Sequence, residues 1–132
     1  MASRTSNPVR RKRITQKALT ADTTLTAADS GTTFLLDAIG EEILLPVPTA
    51  DTTFRFRCAV TTATTNWTIV APSAVIYGSA TVAGALIAAS AETTITLVVA
   101  KFLPGDLIEL ESDGTNYYVD GDVVTALGVT FV

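Results

Sequence analysis

Histidine is absent from this 132-residue chain, and cysteine occurs once, as Cys58. Without histidine the protein lacks the usual general base near neutral pH and the commonest ligand of transition metals. A single cysteine can form neither an intrachain disulfide nor a cysteine-type zinc site. Glycine-rich nucleotide-binding patterns and the GxSxG motif of hydrolases are missing as well. The sequence therefore predicts a protein that is not an enzyme and that holds no metal and no cofactor; an enzyme built on paired carboxylates is the one catalytic alternative left open.

Long apolar stretches are also missing. The longest run of apolar and small residues, residues 80–91, has twelve members, whereas a helix that spans a bilayer needs about 20. Residues 15–30 are polar and rich in threonine, so the basic start of the chain is not followed by the roughly 7 to 15 apolar residues of a secretory signal. We therefore expect a soluble protein without a membrane partner.

Charged residues make up only 17% of the chain, and they are divided unevenly along it. Residues 1–20 carry a charge of +6 without any acid, whereas residues 21–132 carry a charge of −10. We interpret these parts as a basic, extended N-terminal arm over residues 1–20 and a body over residues 21–132. The basic residues of the arm are Arg4, Arg10, Arg11, Lys12, Arg13 and Lys17.

The arm has too few apolar side chains to fold alone, so it is either a solubilising tail or a segment that binds an acidic partner. A fully extended segment of this length reaches up to roughly 65 Å, enough to cross to a neighbouring subunit. The acidic partner would be a protein surface or nucleic acid. Nucleic acid is the less favoured of the two, because the arm lacks the interleaved aromatic residues of single-strand binders and the acidic body repels a polyanion.

Threonine, valine and isoleucine together account for 44 of the 132 residues, and such β-branched side chains favour strands. Short apolar stretches recur between turn signals, which is typical of a sandwich or barrel of short strands. The predicted fold is therefore all-β, an antiparallel β-sandwich or jelly roll with an extended N-terminal arm. The predicted strands are residues 32–37, 42–47, 53–60, 66–71, 74–77, 93–100, 107–112, 116–120, 123–126 and 129–132.

Glycines mark several predicted turns between these strands. Gly40 lies in a tight connection between the first two strands, and Gly121 is interpreted as a further turn. Asp113-Gly114 is the strongest hairpin signal, because both residues tolerate the left-handed backbone that a type I′ turn requires. Residues 78–91 are either a loop or a strand packed closely against another surface, and that surface could belong to a symmetry mate.

Arg55 and Arg57 point outward from a predicted strand whose other face is directed at the core. One interpretation is a solvated face with cross-strand partners such as Glu109 or Glu111. The other is a contact with a neighbouring subunit, in which the guanidinium groups pair with carboxylates. Both interpretations stay open from the sequence.

Trp67, Tyr117 and Tyr118 belong either to the core, which is the favoured interpretation, or to a sugar-binding platform. Because adjacent residues of a strand point to opposite faces, only one of the two tyrosines is exposed on a given face. Hydrogen bonds to a sugar would come from Asp113, Asn116 or Asp120.

Four carboxylates lie near predicted turns. They are Asp106, Asp113, Asp120 and Asp122. No spacing like that of an EF-hand is present, so turn chemistry explains these residues better than calcium binding does.

Three segments of the body resemble segments of bacteriophage virion proteins. They are residues 25–34 (LTAADSGTTF), residues 105–110 (GDLIEL) and residues 112–119 (SDGTNYYV). The nearest resemblance is to small β-sandwich capsid decoration, or cement, proteins, and it covers most of residues 20–132. Tail-fibre and tail-spike domains contain similar segments.

This resemblance implies a jelly-roll-like body that self-associates, as a homotrimer or homodimer, on the capsid exterior of a virion. Extended arms of such a protein bridge subunits of the major capsid protein and stabilise the shell. The basic residues of the arm would then contact the capsid, and Arg55 and Arg57 are the possible subunit interface. No catalytic residue comes with the family. The alternative is a tail-fibre, tail-spike or carbohydrate-binding β-sandwich module.

Overall fold

A computed structural model describes residues 15–37, 40–60 and 64–132 of the chain. Within these ranges the chain forms β-strands and one short 3₁₀ helix, Ala27–Asp29. The strands are β1 Thr15–Leu19, β2 Thr23–Thr24, β3 Thr32–Leu36, β4 Glu42–Leu44, β5 Thr52–Cys58, β6 Trp67–Val70, β7 Ile76–Val82, β8 Ala85–Glu92, β9 Thr94–Leu97, β10 Leu107–Ser112, β11 Tyr117–Val123 and β12 Val129–Phe131.

The strands form two sheets that pack on each other. The 7-stranded sheet has the order β1-β3-β5-β10-β11-β7-β8, and the 5-stranded sheet has the order β12-β9-β6-β4-β2. The predicted all-β sandwich is thereby confirmed. Its sheets are mixed rather than purely antiparallel, since β1 with β3, β3 with β5, β7 with β11, β2 with β4 and β4 with β6 are parallel pairs.

Parallel pairs arise here because the chain alternates between the sheets from β1 to β7. Each strand of this region is followed by a strand of the other sheet. Two strands that are neighbours within one sheet, such as β1 and β3, therefore run in the same direction. Hairpins within one sheet appear only later in the chain, as β7 with β8 and β10 with β11.

The core lies between the sheets and is built by the alternation of side chains along each strand. Phe56 is fully buried, whereas its neighbour Arg55 is exposed. The Phe56 ring stacks on Phe34 with ring centroids 5.5 Å apart. Trp67, from the smaller sheet, meets Phe102 edge-on at 6.2 Å. Full burial of a large apolar side chain contributes about 1.5–3 kcal/mol to stability.

Residues 78–91 form strands rather than a loop. They lie within the hairpin of β7 and β8, whose two connecting residues are Ala83 and Gly84. Their φ angles are 52° and 81°, and a two-residue connection with two positive φ angles is a type I′ turn. The chain therefore places its type I′ turn here.

The prediction of a type I′ turn at Asp113-Gly114 is wrong, although the hairpin of β10 and β11 is present. Residues 113–116 all lie in the connection, and of the predicted pair only Gly114 has a positive φ, 97°. The Asp113 side chain instead accepts hydrogen bonds from the backbone N–H groups of Thr115 (2.9 Å) and Asn116 (2.8 Å). A longer, side-chain-capped turn replaces the tight one.

Gly40 lies in the short connection between β3 and β4, as predicted, but its φ is not positive, and the two strands lie in different sheets. A Cβ at Gly40 would collide with the backbone oxygens of Thr65 and Asn66. The predicted turn at Gly121 is wrong. Gly121 lies inside β11, where a Cβ would collide with Ile108. At both positions glycine is required by close packing rather than by a change of direction.

Several strand boundaries differ from the predicted ones. The strand predicted at residues 42–47 ends at Leu44, the one predicted at residues 74–77 runs to Val82, and the one predicted at residues 93–100 ends at Leu97. Residues 15–19, assigned from the sequence to the arm, form β1 and pair with β3. The predicted strand at residues 123–126 is absent, because Val123 is the last residue of β11 and β12 begins at Val129.

No helix among the described residues is both long enough and apolar enough to cross a membrane.

Candidate functional site

Of the basic residues in the predicted arm, Lys17 lies in the described part of the chain, where it is exposed on β1. β1 pairs in register with β3 from Thr15 opposite Thr32 to Leu19 opposite Leu36, and Leu19 is buried. The end of the arm is thus fixed to the sheet edge by backbone pairing and one apolar anchor. The other basic residues of the arm lie outside the described residues: Arg4, Arg10, Arg11, Lys12 and Arg13.

Arg55 lies on the outer face of the larger sheet, as predicted, and pairs with Glu109 directly opposite on β10. The Arg55 Nε and Glu109 Oε2 atoms are 2.5 Å apart, and the two side chains are 47% and 26% exposed. An exposed pair of this kind contributes only about 0–1 kcal/mol to stability. The predicted cross-strand partner is present, and a contact with a neighbouring subunit stays a prediction.

Arg57 is half-buried on the same face, in register with Leu35 on β3 and Leu107 on β10. Its Nε is enclosed and has no hydrogen-bond partner among the described residues. The aliphatic part of an arginine covers apolar neighbours while its charged end seeks water. Loss of Arg57 would therefore remove packing as well as charge.

The outer face of β10 and β11 is acidic. Its carboxylates are Glu109, Glu111, Asp120 and Asp122. Glu109 lies directly opposite Asp120, and like charges in that position repel; Arg55, on the other side of Glu109, offsets this repulsion. We call these four residues the acidic face.

The explanation of the carboxylates by turn chemistry holds for Asp106, whose oxygens accept hydrogen bonds from the backbone N–H groups of Leu103 (2.8 Å) and Val124 (3.3 Å). It fails for Asp120 and Asp122, because both lie within β11. Within the described ranges, no group of three or more Asp, Glu, Cys and His residues is placed to hold a metal ion.

Trp67 and Tyr117 are fully buried, so the core interpretation is confirmed for both. The Tyr117 hydroxyl donates to the carbonyl of Pro46 at 2.6 Å, and burial raises the pKa of Tyr117 to about 12. Neither residue is available as a sugar platform.

Tyr118 is 41% exposed and borders a groove of about 540 Å³ on the outer face. Its hydroxyl donates to the Asp113 Oδ2 atom at 2.8 Å. Three hydrogen bonds lower the pKa of Asp113. The largest effect comes from the backbone N–H of Asn116, the next from that of Thr115, and the third from the Tyr118 hydroxyl. Asp51 and Glu111 also line the groove. The groove thus combines one accessible ring with three carboxylates.

Cys58 is a buried free thiol. Its Sγ lies 3.1 Å from the carbonyl oxygens of both Val60 and Phe102. Burial raises the pKa of the thiol, which keeps it in the unreactive protonated form at neutral pH.

Glu41 is a candidate that the sequence pattern does not single out. This side chain is 2% exposed, and neither of its carboxylate oxygens has a hydrogen-bond partner among the described residues. Burial, then the negative charges of Asp37 and Asp22, raises its pKa from 4.5 to about 7. An acid within a Gly-Glu-Glu sequence is usually solvated, so only its burial in the fold reveals this residue.

The surface formed by β8 is a second feature that the sequence leaves open, since residues 78–91 could be a loop or a packed strand. β8 ends the larger sheet, and Leu86 and Ile87 on it are 72% and 38% exposed. Beside it, a groove of about 220 Å³ lies between β8 and β12, two strands that also contact each other, with Leu127 and Phe131 in its lining. We call the free side of β8 together with this groove the β8 edge.

Comparisons with protein-family models, with curated proteins and with solved structures find no match to this chain.

Proposed function

We propose that this protein is a structural virion protein: a bacteriophage head decoration, or cement, protein that binds the outside of the capsid, bridges subunits of the major capsid protein and stabilises the shell. The observation that carries this proposal is the joining of a basic leading segment to an acidic sandwich through a strand built into the sheet. Residues 1–20 carry +6 and residues 21–132 carry −10, and β1 connects the two parts.

The placement of β1 supports a clamping role for the basic segment. Because β1 is paired along its whole length with β3 and is anchored by buried Leu19, the residues that precede Thr15 start from a fixed point on the sandwich. A force that pulls on a capsid-bound arm would then act on the hydrogen-bonded sheet through β1.

The mechanism is multivalent attachment without a chemical reaction. In a homotrimer or homodimer each copy contributes an arm, and each bound arm raises the effective concentration of the next. Modest contacts to several subunits of the major capsid protein add up to stable attachment, which opposes the pressure inside the shell.

Removal of residues 1–13 tests this function and leaves β1 complete. The truncated protein is expected to keep the circular dichroism spectrum and unfolding midpoint of the full chain. In co-sedimentation with purified capsids that lack the protein, it is expected not to bind. Binding of the truncated protein at the level of the full chain would overturn the proposal.

Charge variants separate the role of charge from that of chain length. Replacement of Arg10, Arg11, Lys12 and Arg13 by Gln is expected to abolish capsid binding as the truncation does. The control is Lys101→Gln, which removes a positive charge from the body and is expected to bind as the full chain does. Equal binding by the arm-neutralised variant would show that the arm does not act through its charge.

A second candidate function, a carbohydrate-binding module of the tail-fibre or tail-spike type, is favoured by one observation, the groove beside exposed Tyr118 with its three carboxylates. Aromatic faces and carboxylates are the groups that bind sugars. A glycan array decides between the two: a ligand that is lost in Tyr118→Ala and kept in Val47→Ala supports the module. A decoration protein shows no glycan ligand and attaches to purified capsids.

A further inference from the structure

We infer that the β8 edge is a self-association surface, on which β8 pairs antiparallel with β8 of a second copy of this chain. The inference rests on the proposed function in one respect, that the protein works as an oligomer, and it names the surface that joins the copies. The association itself involves only the sandwich, so it can be measured on the free protein without a capsid.

The four sheet edges formed by the described residues differ in how they are protected. Folded proteins usually protect edge strands by making them short or by placing charges or proline on them. In the smaller sheet, β2 has 2 residues and β12 has 3. In the larger sheet, β1 carries Lys17 and follows a run of basic residues. β8 has 8 residues with no proline, and its one charge is Glu92 at the end. A β-bulge interrupts its pairing with β7 opposite Tyr77, where Ala91 has a φ of 57°. The regularly paired part of β8, residues 85–89, is as long as β1 and carries neither a charge nor a proline.

Charge favours a second copy as the occupant of this edge. The chain has no charged residue between Arg57 and Glu92, and none after Asp122. These stretches supply β7, nearly all of β8, β12 and the connection that leads to β12. The body as a whole carries −10, so two copies repel each other when charged faces meet. Contact through the β8 edge brings them together without placing like charges opposite.

Exposed apolar side chains lie on β8 and in the groove beside it. Leu86 on β8 is 72% exposed, and Leu127, which lines the groove between β8 and β12 together with Ile87 and Phe131, is 64% exposed. Apolar surface that is otherwise left in water marks an interaction site. Side-chain burial there would add to the backbone hydrogen bonds of strand pairing.

The geometry of β8 suits a twofold contact. Antiparallel pairing of two identical strands is self-complementary, because both copies use the same groups. Most side chains of β8 are Ala or Ser, and such small residues let the backbones approach to the usual strand spacing of about 4.8 Å. The two larger sheets would then form one continuous sheet across the dimer.

The test compares Leu86→Lys with Val47→Lys by sedimentation velocity and light scattering over a dilution series. The two positions are a matched pair, since Leu86 and Val47 are 72% and 71% exposed. We expect the wild type and Val47→Lys to dimerise alike. Leu86→Lys is expected to weaken dimerisation at least about 10-fold, because a lysine on an edge strand opposes pairing and both copies carry it. A wild type that stays monomeric at its highest attainable concentration, or a Leu86→Lys variant that dimerises like wild type, would overturn the inference.

A second variant and a measurement on the wild type cover the case in which Leu86→Lys does not fold. Ala88→Lys places the same charge on the same face of β8, opposite Ser79, and is expected to weaken dimerisation in the same way. In the wild type, the β8 amides are expected to exchange hydrogen more slowly in concentrated than in dilute protein. Exchange that is independent of concentration would contradict pairing at this edge. A full-length chain that dimerises but does not bind purified capsids would contradict the decoration function alone.

Discussion

At the scale of single residues, Glu41 shows how the fold changes the chemistry of an ordinary acid. The backbone carbonyl of Glu41 accepts a hydrogen bond from the N–H of Thr68 at 3.0 Å, which ties this residue to β6. The side chain is thereby held where it is buried. Burial penalises the charged form, and the nearby charges of Asp37 and Asp22 penalise it further. A carboxyl group with a pKa of about 7 is therefore half protonated at neutral pH.

This shift predicts a pH-dependent stability. The folded state holds the Glu41 proton more tightly than the unfolded state, so this contribution is present below pH 4.5 and is lost as the pH rises to about 7. The loss amounts to about 1.4 kcal/mol for each pH unit of the shift. Glu41→Gln removes the titration, so its free energy of unfolding relative to wild type is expected to rise between pH 4.5 and 7 and to level off above. Urea unfolding over this pH range measures the difference.

Glu42→Gln is the control, because Glu42 is the next residue and is exposed. A rise of equal size in Glu42→Gln would show that the effect does not come from the buried Glu41 carboxyl. A Glu41→Gln difference that is flat over the same range would show that the Glu41 carboxyl does not titrate there.

Tyr117 and Tyr118 show what sequence can and cannot reveal about a candidate site. Alternation along a strand requires the two side chains to point in opposite directions, and one is fully buried while the other is 41% exposed. The sequence does not reveal which of them is exposed, because that depends on which face of β11 meets the smaller sheet. The groove beside Tyr118 also escaped prediction, because Asp51 comes to it from a distant part of the chain.

At the scale of elements, strand positions were predictable and strand pairing was not. Alternating side chains locate most strands of the body, since one face of each must be apolar. Pairing depends instead on whether a connection turns back within one sheet or crosses to the other. The connection that contains Gly40 crosses, whereas Ala83-Gly84 turns back, and both are short and contain glycine. The parallel pairs could therefore not be derived from local patterns.

The turn of the β7–β8 hairpin yields a prediction about stability. Ala83 has a φ of 52°, a conformation that costs an L-residue other than glycine, asparagine or aspartate about 1–2 kcal/mol. Ala83→Asn produces the Asn-Gly pair that suits a type I′ turn and is expected to stabilise the protein by about 0.5–1 kcal/mol. Gly84→Ala is expected to destabilise it by about 1 kcal/mol. Chemical unfolding at a fixed protein concentration measures both effects.

Gly121→Ala is a control that separates steric cost from backbone cost. A Cβ at Gly84 meets nothing within 4 Å, so the cost of Gly84→Ala comes from the backbone alone. A Cβ at Gly121 would lie 2.9 Å from the backbone oxygen of Leu107 and would also meet the end of the Ile108 side chain, so Gly121→Ala is expected to be more destabilising than Gly84→Ala. A neutral Gly84→Ala, or a destabilising Ala83→Asn, would contradict the type I′ assignment.

At the scale of the whole molecule, the chain separates its charges into distinct regions. Positive charge is concentrated before β1, negative charge is displayed on the acidic face of β10 and β11, and the β8 edge is nearly uncharged. β1 and β8 are the opposite edges of one sheet. A partner bound by the arm and a second copy bound at β8 would therefore occupy different sides of the sandwich.

This separation predicts opposite responses to salt for the two associations. Attraction between the basic arm and an acidic capsid surface weakens as the Debye length falls from about 10 Å at 0.1 M to about 3 Å at 1 M salt. Dimerisation at β8 is expected to strengthen over the same range, because it is held by apolar contact and backbone pairing and is opposed by repulsion between two acidic bodies. Capsid co-sedimentation and sedimentation velocity of the free protein, performed in the same salt series, measure the two affinities. A dimer that dissociates as salt rises would mean that charge pairs, with Arg55 and Arg57 as the first candidates, join the copies in place of the β8 edge.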